Sequence, residues 1–195
     1  MKITIISGST RQNSASANVS RYISNELRQI NSEVENDVFD LSQLNLPMWD
    51  ENTDLKALSE QNDQLASADA FVFVIPEWHG MVPPAVKNLF FLFGSVFRHK
   101  PAYLVTVSAG TGGRYPIAEM RSSAYKNAYL NYIPVNTVID RVGAVISDEG
   151  EYIAEKAFVQ RRLDEGLRIL IEYGKAFQTI RQSDIVMEKR FPNGV

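Results

Sequence analysis

The chain is predicted to be an α/β protein, a parallel sheet with helices on both faces, and three observations predict it. Short apolar, β-branched runs alternate with segments of helical apolar spacing along the whole chain. The strand-like runs are nearly continuous in apolar residues, as strands covered on both faces are. The 195 residues show no internal repeat, low-complexity tract or break in composition, so residues 1–195 read as one domain.

The first strand is "KITIIS", followed by the polar loop "GSTRQNSAS" and a helix carrying Val19, Ile23, Leu27 and Ile30 at helical spacing. "EVENDVFDL" reads as a second strand whose polar interruptions put it near the sheet edge. "SQLNLPMWDENTD", broken by Pro47, reads as a surface loop, with a short helix from Leu55 to Leu65 after it. "AFVFVI", Ala70 to Ile75, is the clearest strand; "PEWHGMVPP" and a helix through "AVKNLFFLFG" follow. "AYLVTVS" is a further strand ending in the glycine-rich "AGTGGRYP", with a helix expected from Ile117 to Leu130. A strand is expected near "VNTVI". The last long helix carries Phe158, Val159, Leu163, Leu167, Leu170, Phe177 and Ile180 along one stripe. The tail from about Arg181, "RQSDIVMEKRFPNGV", is mostly polar and is expected to be disordered or docked on another subunit.

Composition narrows the chemistry. Hydrophobic residues make up 45 % and charged residues 22 %, ordinary for a globular domain. A net charge of −3 without a basic run points away from nucleic acid and from anionic membranes. With no cysteine and two histidines, neither a thiolate nucleophile nor a cysteine- or histidine-rich metal site is expected. "MKITIIS" is too short an apolar run for a signal peptide, no segment reads as a membrane span, and a cytoplasmic setting is expected.

Ligands of open parallel sheets bind outside the carboxyl ends of the strands, and three loops fall there. In "GSTRQNSAS" the hydroxyls and the backbone amides at the start of the next helix suit a phosphate, and Arg11 adds a charge-assisted bond. The local alternative is that Ser14 or Ser16 is only the helix cap and Arg11 is solvated. The loop lacks the Gly-Lys-Ser/Thr of a nucleotide triphosphatase and the Gly-x-Gly-x-x-Gly of a dinucleotide fold, which leaves a compact phosphate monoester. In the second loop, Pro76 and Gly80 set the backbone, Trp78 offers a flat apolar face, and His79 is a donor or proton carrier. Here the alternative is a plain turn, with Trp78 in the core, Pro83 opening the helix and Lys87 solvated. In the third loop, "SAGTGG", the glycines let backbone approach a ligand, or merely form a flexible turn.

At these motifs the chain resembles the NAD(P)H-dependent FMN reductase family of flavodoxin-like proteins, a group with azoreductase-like and quinone-reductase-like members. The resemblance rests on "GSTRQNS", "PEWHG…VKN" and "SAGTGG" in order, and covers roughly Lys2 to Tyr132. Trp78 and His79 stand where the family usually has Tyr and Asn, and Met81 and Pro84 where Ser and Gly are frequent. The resemblance implies a five-stranded sheet of order 2-1-3-4-5 and bound FMN. Its phosphate would lie on Ser9, Arg11, Ser14 and Ser16. The ribityl chain and ring would lie against Pro76, Glu77, Trp78, His79 and Gly80, with Ser108, Gly110, Gly112 and Gly113 on the other side. NADPH or NADH would supply hydride, a small acceptor such as a quinone, azo compound or free flavin would take it, and no side chain is assigned as catalytic. A homodimer or homotetramer is implied, often through the helix after the Pro-Glu motif. Two rivals remain at this point: an FMN electron carrier serving protein partners, and a binding or sensor domain that has lost the cofactor.

Overall fold

The computed structural model describes residues 1–155 and 157–188. Its five strands are β1 (Lys2–Ser7), β2 (Glu35–Asp40), β3 (Ala70–Pro76), β4 (Pro101–Val107) and β5 (Asn131–Ile139). They form one parallel sheet in the order β2-β1-β3-β4-β5, the expected flavodoxin-like order. The chain steps from β1 to β2 on one side and to β3 on the other, which makes the carboxyl end of β1 the place where strand order reverses.

Strand periodicity sorts the core into two layers. Ile3, Ile5, Val72, Val74, Tyr103 and Val105 face α1 (Ala15–Ile30) and the long helix that ends the fold; Val19, Ile23 and Leu27 meet them. Ile6, Phe71, Phe73, Ile75 and Leu104 point the other way. They meet α2 (Ser59–Ala66), α3 (Pro84–Leu92) and α4 (Tyr115–Arg121) through Leu65, Val86, Leu89 and Met120. β2 is an edge strand, and within it only Phe39 is fully buried.

Three elements differ from expectation. α4 stops at Arg121 and does not run to Leu130. Ser122 and Ser123 turn their hydroxyls back to the Glu119 carbonyl at 3.1 and 2.6 Å, and Ala124 takes a left-handed φ of 61°. Such side-chain bonds compete with continued helix. α3 opens at Pro84, with Pro83 in the capping position before it. In α5 (Phe158–Ile180) the expected stripe is buried only in its middle, at Leu163, Leu167 and Leu170, while Phe158 and Ile180 are exposed. A helix of 23 residues is about 35 Å long, more than the strands beneath it can cover.

The first part of the tail folds onto its own chain. Arg181 donates to Asp69 at 2.6 Å and to the His99 carbonyl at 3.2 Å, and a short α6 (Asp184–Met187) follows. The expectation for the rest of the tail, residues 189–195, lies outside the described residues. No helix among the described residues is long and apolar enough to cross a membrane.

Candidate functional site

The chain leaves β1 through Gly8, whose amide donates to the Val74 carbonyl at 2.8 Å. A Cβ there would stand 2.8 Å from Val86 Cγ2 and 2.9 Å from that carbonyl, so the close crossing over β3 admits only glycine. Two left-handed or capping residues then turn the chain into α1: Asn13 at φ 51°, and Ser14, whose Oγ accepts the Ala17 amide at 3.2 Å. Ser9 Oγ accepts the Arg11 amide at 3.2 Å. Both hydroxyls, accepting through oxygen, keep their own protons for a ligand. Ser16 differs. Only 1 % of it is exposed, and its Oγ has no partner among the described residues. It stands where the first amides of α1 also lack an intrahelical acceptor.

In the second loop, Trp78 and Met81 exchange backbone hydrogen bonds of 2.8 and 3.2 Å around a two-residue turn. Its central residues, His79 at φ 52° and Gly80 at φ 72°, are both left-handed, the signature of a type I′ hairpin turn. Asn and His are among the few non-glycine residues enriched in that conformation, which gives a histidine a structural reason to stand at position 79. Trp78 is not in the core: it is 44 % exposed, and the Arg11 guanidinium lies 5.5 Å from its ring centroid.

Glu77 joins the second loop to the third. Its amide donates to the Val107 carbonyl at 2.9 Å, and its carboxylate accepts the amides of Gly113 at 2.7 Å and Tyr115 at 3.3 Å. A Cβ on Gly112 would meet Glu77 Oε1 at 2.9 Å and Ser108 Oγ at 3.0 Å. Gly113 lies at φ 88°, and its carbonyl accepts from Thr106 Oγ1. Gly112 is thus packed against the clamp on Glu77, while Gly113 is fixed by its left-handed φ and by Val138, whose Cγ1 a Cβ would meet at 2.9 Å.

The loops converge on a cleft of about 520 Å³ at the carboxyl ends of β1, β3 and β4. Of the thirteen predicted residues, Ser9, Arg11, Ser14, Ser16, Pro76, Glu77, Trp78, Ser108 and Gly110 line it. His79, Gly80, Gly112 and Gly113 are not in its wall; their place is in the turns behind it. The wall also contains Val142 and Gly143, which the sequence reading missed. They follow β5 and are held by the Arg141 amide on the Gly110 carbonyl (2.9 Å) and the Val142 amide on the Ser108 carbonyl (3.0 Å). "DRVGAV" carries the same cue as the other loops, a glycine just past a strand end.

Beside the cleft, an apolar hollow of about 330 Å³ lies between Met48, Trp49, Met81 and Phe91. Asn88 ties its outer wall to α3, donating to the Pro47 carbonyl at 2.8 Å and accepting the Trp49 amide at 2.9 Å. Lys87 is not simply solvated: it pairs with Glu119, which also accepts the Val82 amide at 2.6 Å. Burial alone would raise the Glu119 carboxyl, but the bonds from Lys87 and Val82 outweigh it and hold its pKa below the ordinary value.

Comparison with known proteins agrees with this geometry. The family model described as NADPH-dependent FMN reductase matches residues 1–143. An NADPH azoreductase of Bacillus sp. (strain OY1-2) is 28 % identical over 155 residues, covering 77 % of this chain and 83 % of the relative. The NAD(P)H-dependent FMN reductase LOT6 of Saccharomyces cerevisiae is 30 % identical over 130 residues, covering 58 % of this chain and 68 % of the relative. Among solved structures, the flavoenzyme NAD(P)H:(acceptor) oxidoreductase FerB of Paracoccus denitrificans superposes with a TM-score of 0.68 at 17 % identity. That match spans 90 % of this chain and 98 % of the other, and speaks for the fold.

Proposed function

Because the chain belongs to the NADPH-dependent FMN reductase family and is an oxidoreductase, we propose that it binds FMN in the cleft and passes hydride from NAD(P)H to a small acceptor. The observation that carries this reading is Ser16, a hydroxyl buried without a partner in the cleft wall at the start of α1. A buried polar group without a partner is costly unless a ligand completes it. The residues present fit a phosphate monoester there: Ser9, Ser14 and Ser16 offer hydroxyl donors, the first turn of α1 offers amides, and Arg11 offers a charge.

When bound, FMN supplies the two-electron chemistry at its ring. Pro76, Glu77 and Trp78 hold one side of the ribityl chain and ring, and Ser108 and Gly110 the other. His79, Gly80, Gly112 and Gly113 act from behind, by fixing the two loops. The exposed indole of Trp78 gives planar partners, nicotinamide or acceptor, an apolar face at the mouth. No side chain is assigned as general acid or base. An azo compound is the first acceptor to try, by the name of the Bacillus relative, with quinones and free flavin after it.

The same reading makes the chain a single cytoplasmic domain. It associates as a homodimer, or as a homotetramer of such pairs. The exposed face beside the cleft supports this, since Met48, Trp49, Met81 and Phe91 are all open to solvent and Trp49 stacks on Phe91 at 5.6 Å.

The test is a visible spectrum of the protein reconstituted with FMN, recorded without oxygen before and after NADPH, with NADH in parallel. Retained flavin that bleaches is the expected result. Flavin retained but reduced by neither nucleotide makes the chain an electron carrier, and failure to retain flavin makes it a domain without the cofactor.

A further inference from the structure

A cavity of about 710 Å³, larger than the cleft, opens at the opposite end of the sheet, where β3, β4 and β5 begin. Residues far apart in sequence meet there. Arg98 and Lys100 flank His99, whose left-handed φ of 51° turns the chain into β4, and Arg181 arrives from the end of α5. The walls between these cations are apolar, built from Leu55, Phe90 and Met187.

The charges in this cavity are incompletely matched. Arg181 is neutralised by Asp69 at 2.6 Å. Lys100, only 7 % exposed, donates to the uncharged carbonyls of Ala66 at 2.8 Å and Leu65 at 3.4 Å. Arg98 lies 4.5 Å over the Tyr129 ring and gives one N–H to the Glu188 carbonyl at 2.9 Å, while its Nε is buried without a partner among the described residues. Carbonyls and an aromatic face satisfy hydrogen bonds but do not cancel charge. Burial first, then the Arg181 charge, lower the Lys100 pKa to about 8 despite the opposing pull of Asp69. Among the described residues that line it, the cavity has no carboxylate, and Leu55, Phe90 and Met187 border it.

We propose that this cavity binds an organic carboxylate, its head between Arg98 and Lys100 and its apolar body against Leu55, Phe90 and Met187. A planar carboxylate suits the fork of the Arg98 guanidinium, whose buried Nε has no partner among the described residues. A single negative charge also suits a cluster in which Asp69 already engages Arg181. The site shares no residue with the cleft and is independent of the reaction proposed there.

Calorimetric titration of the full chain with decanoate tests it, using Arg98→Gln, Lys100→Met and, as the cleft control, Arg11→Gln. Saturable binding to the unmodified chain is expected, at least tenfold weaker in the first two variants and unchanged in Arg11→Gln. Absence of saturable binding, equal affinity in Arg98→Gln, or loss in Arg11→Gln overturns the proposal. Arg98 is only partly buried, so its variant keeps the test open if Lys100→Met does not fold.

Discussion

Ser14 and Ser16 stand two residues apart in the same turn, yet their oxygens have different fates. Ser14 Oγ caps α1 through the Ala17 amide, whereas Ser16 Oγ has no acceptor or donor among the described residues. Replacing Ser14 by Ala removes a helix cap and costs about 1 kcal/mol of stability. Replacing Ser16 removes nothing the fold uses. Ser16→Ala is therefore expected to leave the melting temperature nearly unchanged and to weaken FMN binding roughly 10- to 100-fold, the worth of one hydrogen bond to a charged group. Equilibrium titration with FMN beside a thermal melt checks both halves, and a fall in stability without a fall in affinity would remove Ser16 from the site.

Among the elements, the third loop shows how a flexible stretch is held. Three glycines in six residues leave Ser108 to Gly113 with little intrinsic order. The order comes from Glu77, which reaches from the second loop to the Gly113 and Tyr115 amides. Because the acceptor is charged and two donors share it, the clamp is among the stronger hydrogen bonds available. Glu77→Ala leaves the Gly113 amide unsatisfied, and its hydrogen exchange is expected to quicken roughly 10- to 100-fold, with little change in the amides of β1. Equal acceleration throughout the sheet would mean that Glu77 supports the whole fold and not the loop alone. A Cβ at Gly112 would strike the same carboxylate, so the glycine and the acid are one device.

For the whole molecule, buried ionisable groups set how stability follows pH. The folded-state pKa of Lys100, about 8, lies below the ordinary lysine value of 10.5, from burial first and Arg181 second. Between these values the unfolded chain binds the extra proton, so stability rises with pH across that window; below it both states are protonated and the contribution is flat. Tyr22 and Tyr103, each raised to about 12 by burial first, and Tyr132, raised by burial as well, oppose this as the pH nears 10, where unfolded tyrosines ionise. Urea unfolding at pH 8, 9 and 10 is therefore expected to show a net gain of roughly 1 kcal/mol, absent in Lys100→Met. A fall over this range in the unmodified chain would show that Lys100 is not held as described.

Sequence periodicity determined the fold class, the strands and which loops share an end of the sheet, because apolar spacing is a local property that backbone geometry converts directly into buried faces. The resemblance carried by the three loop motifs named nine residues of the cleft wall, and topology brings them together because they stand at successive strand ends of a parallel sheet. Only the tertiary structure decided which polar groups the fold consumes and which it leaves without a partner among the described residues. Glu77 became a clamp because Gly113 lies 36 residues further along and opposite it; α4 ended early because Ser122 and Ser123 turned back to Glu119. The cavity at the other end of the sheet joins Leu55, Arg98, Lys100, Arg181 and Met187. Pairings of this kind depend on contacts through space across tens of residues, and no local pattern records them.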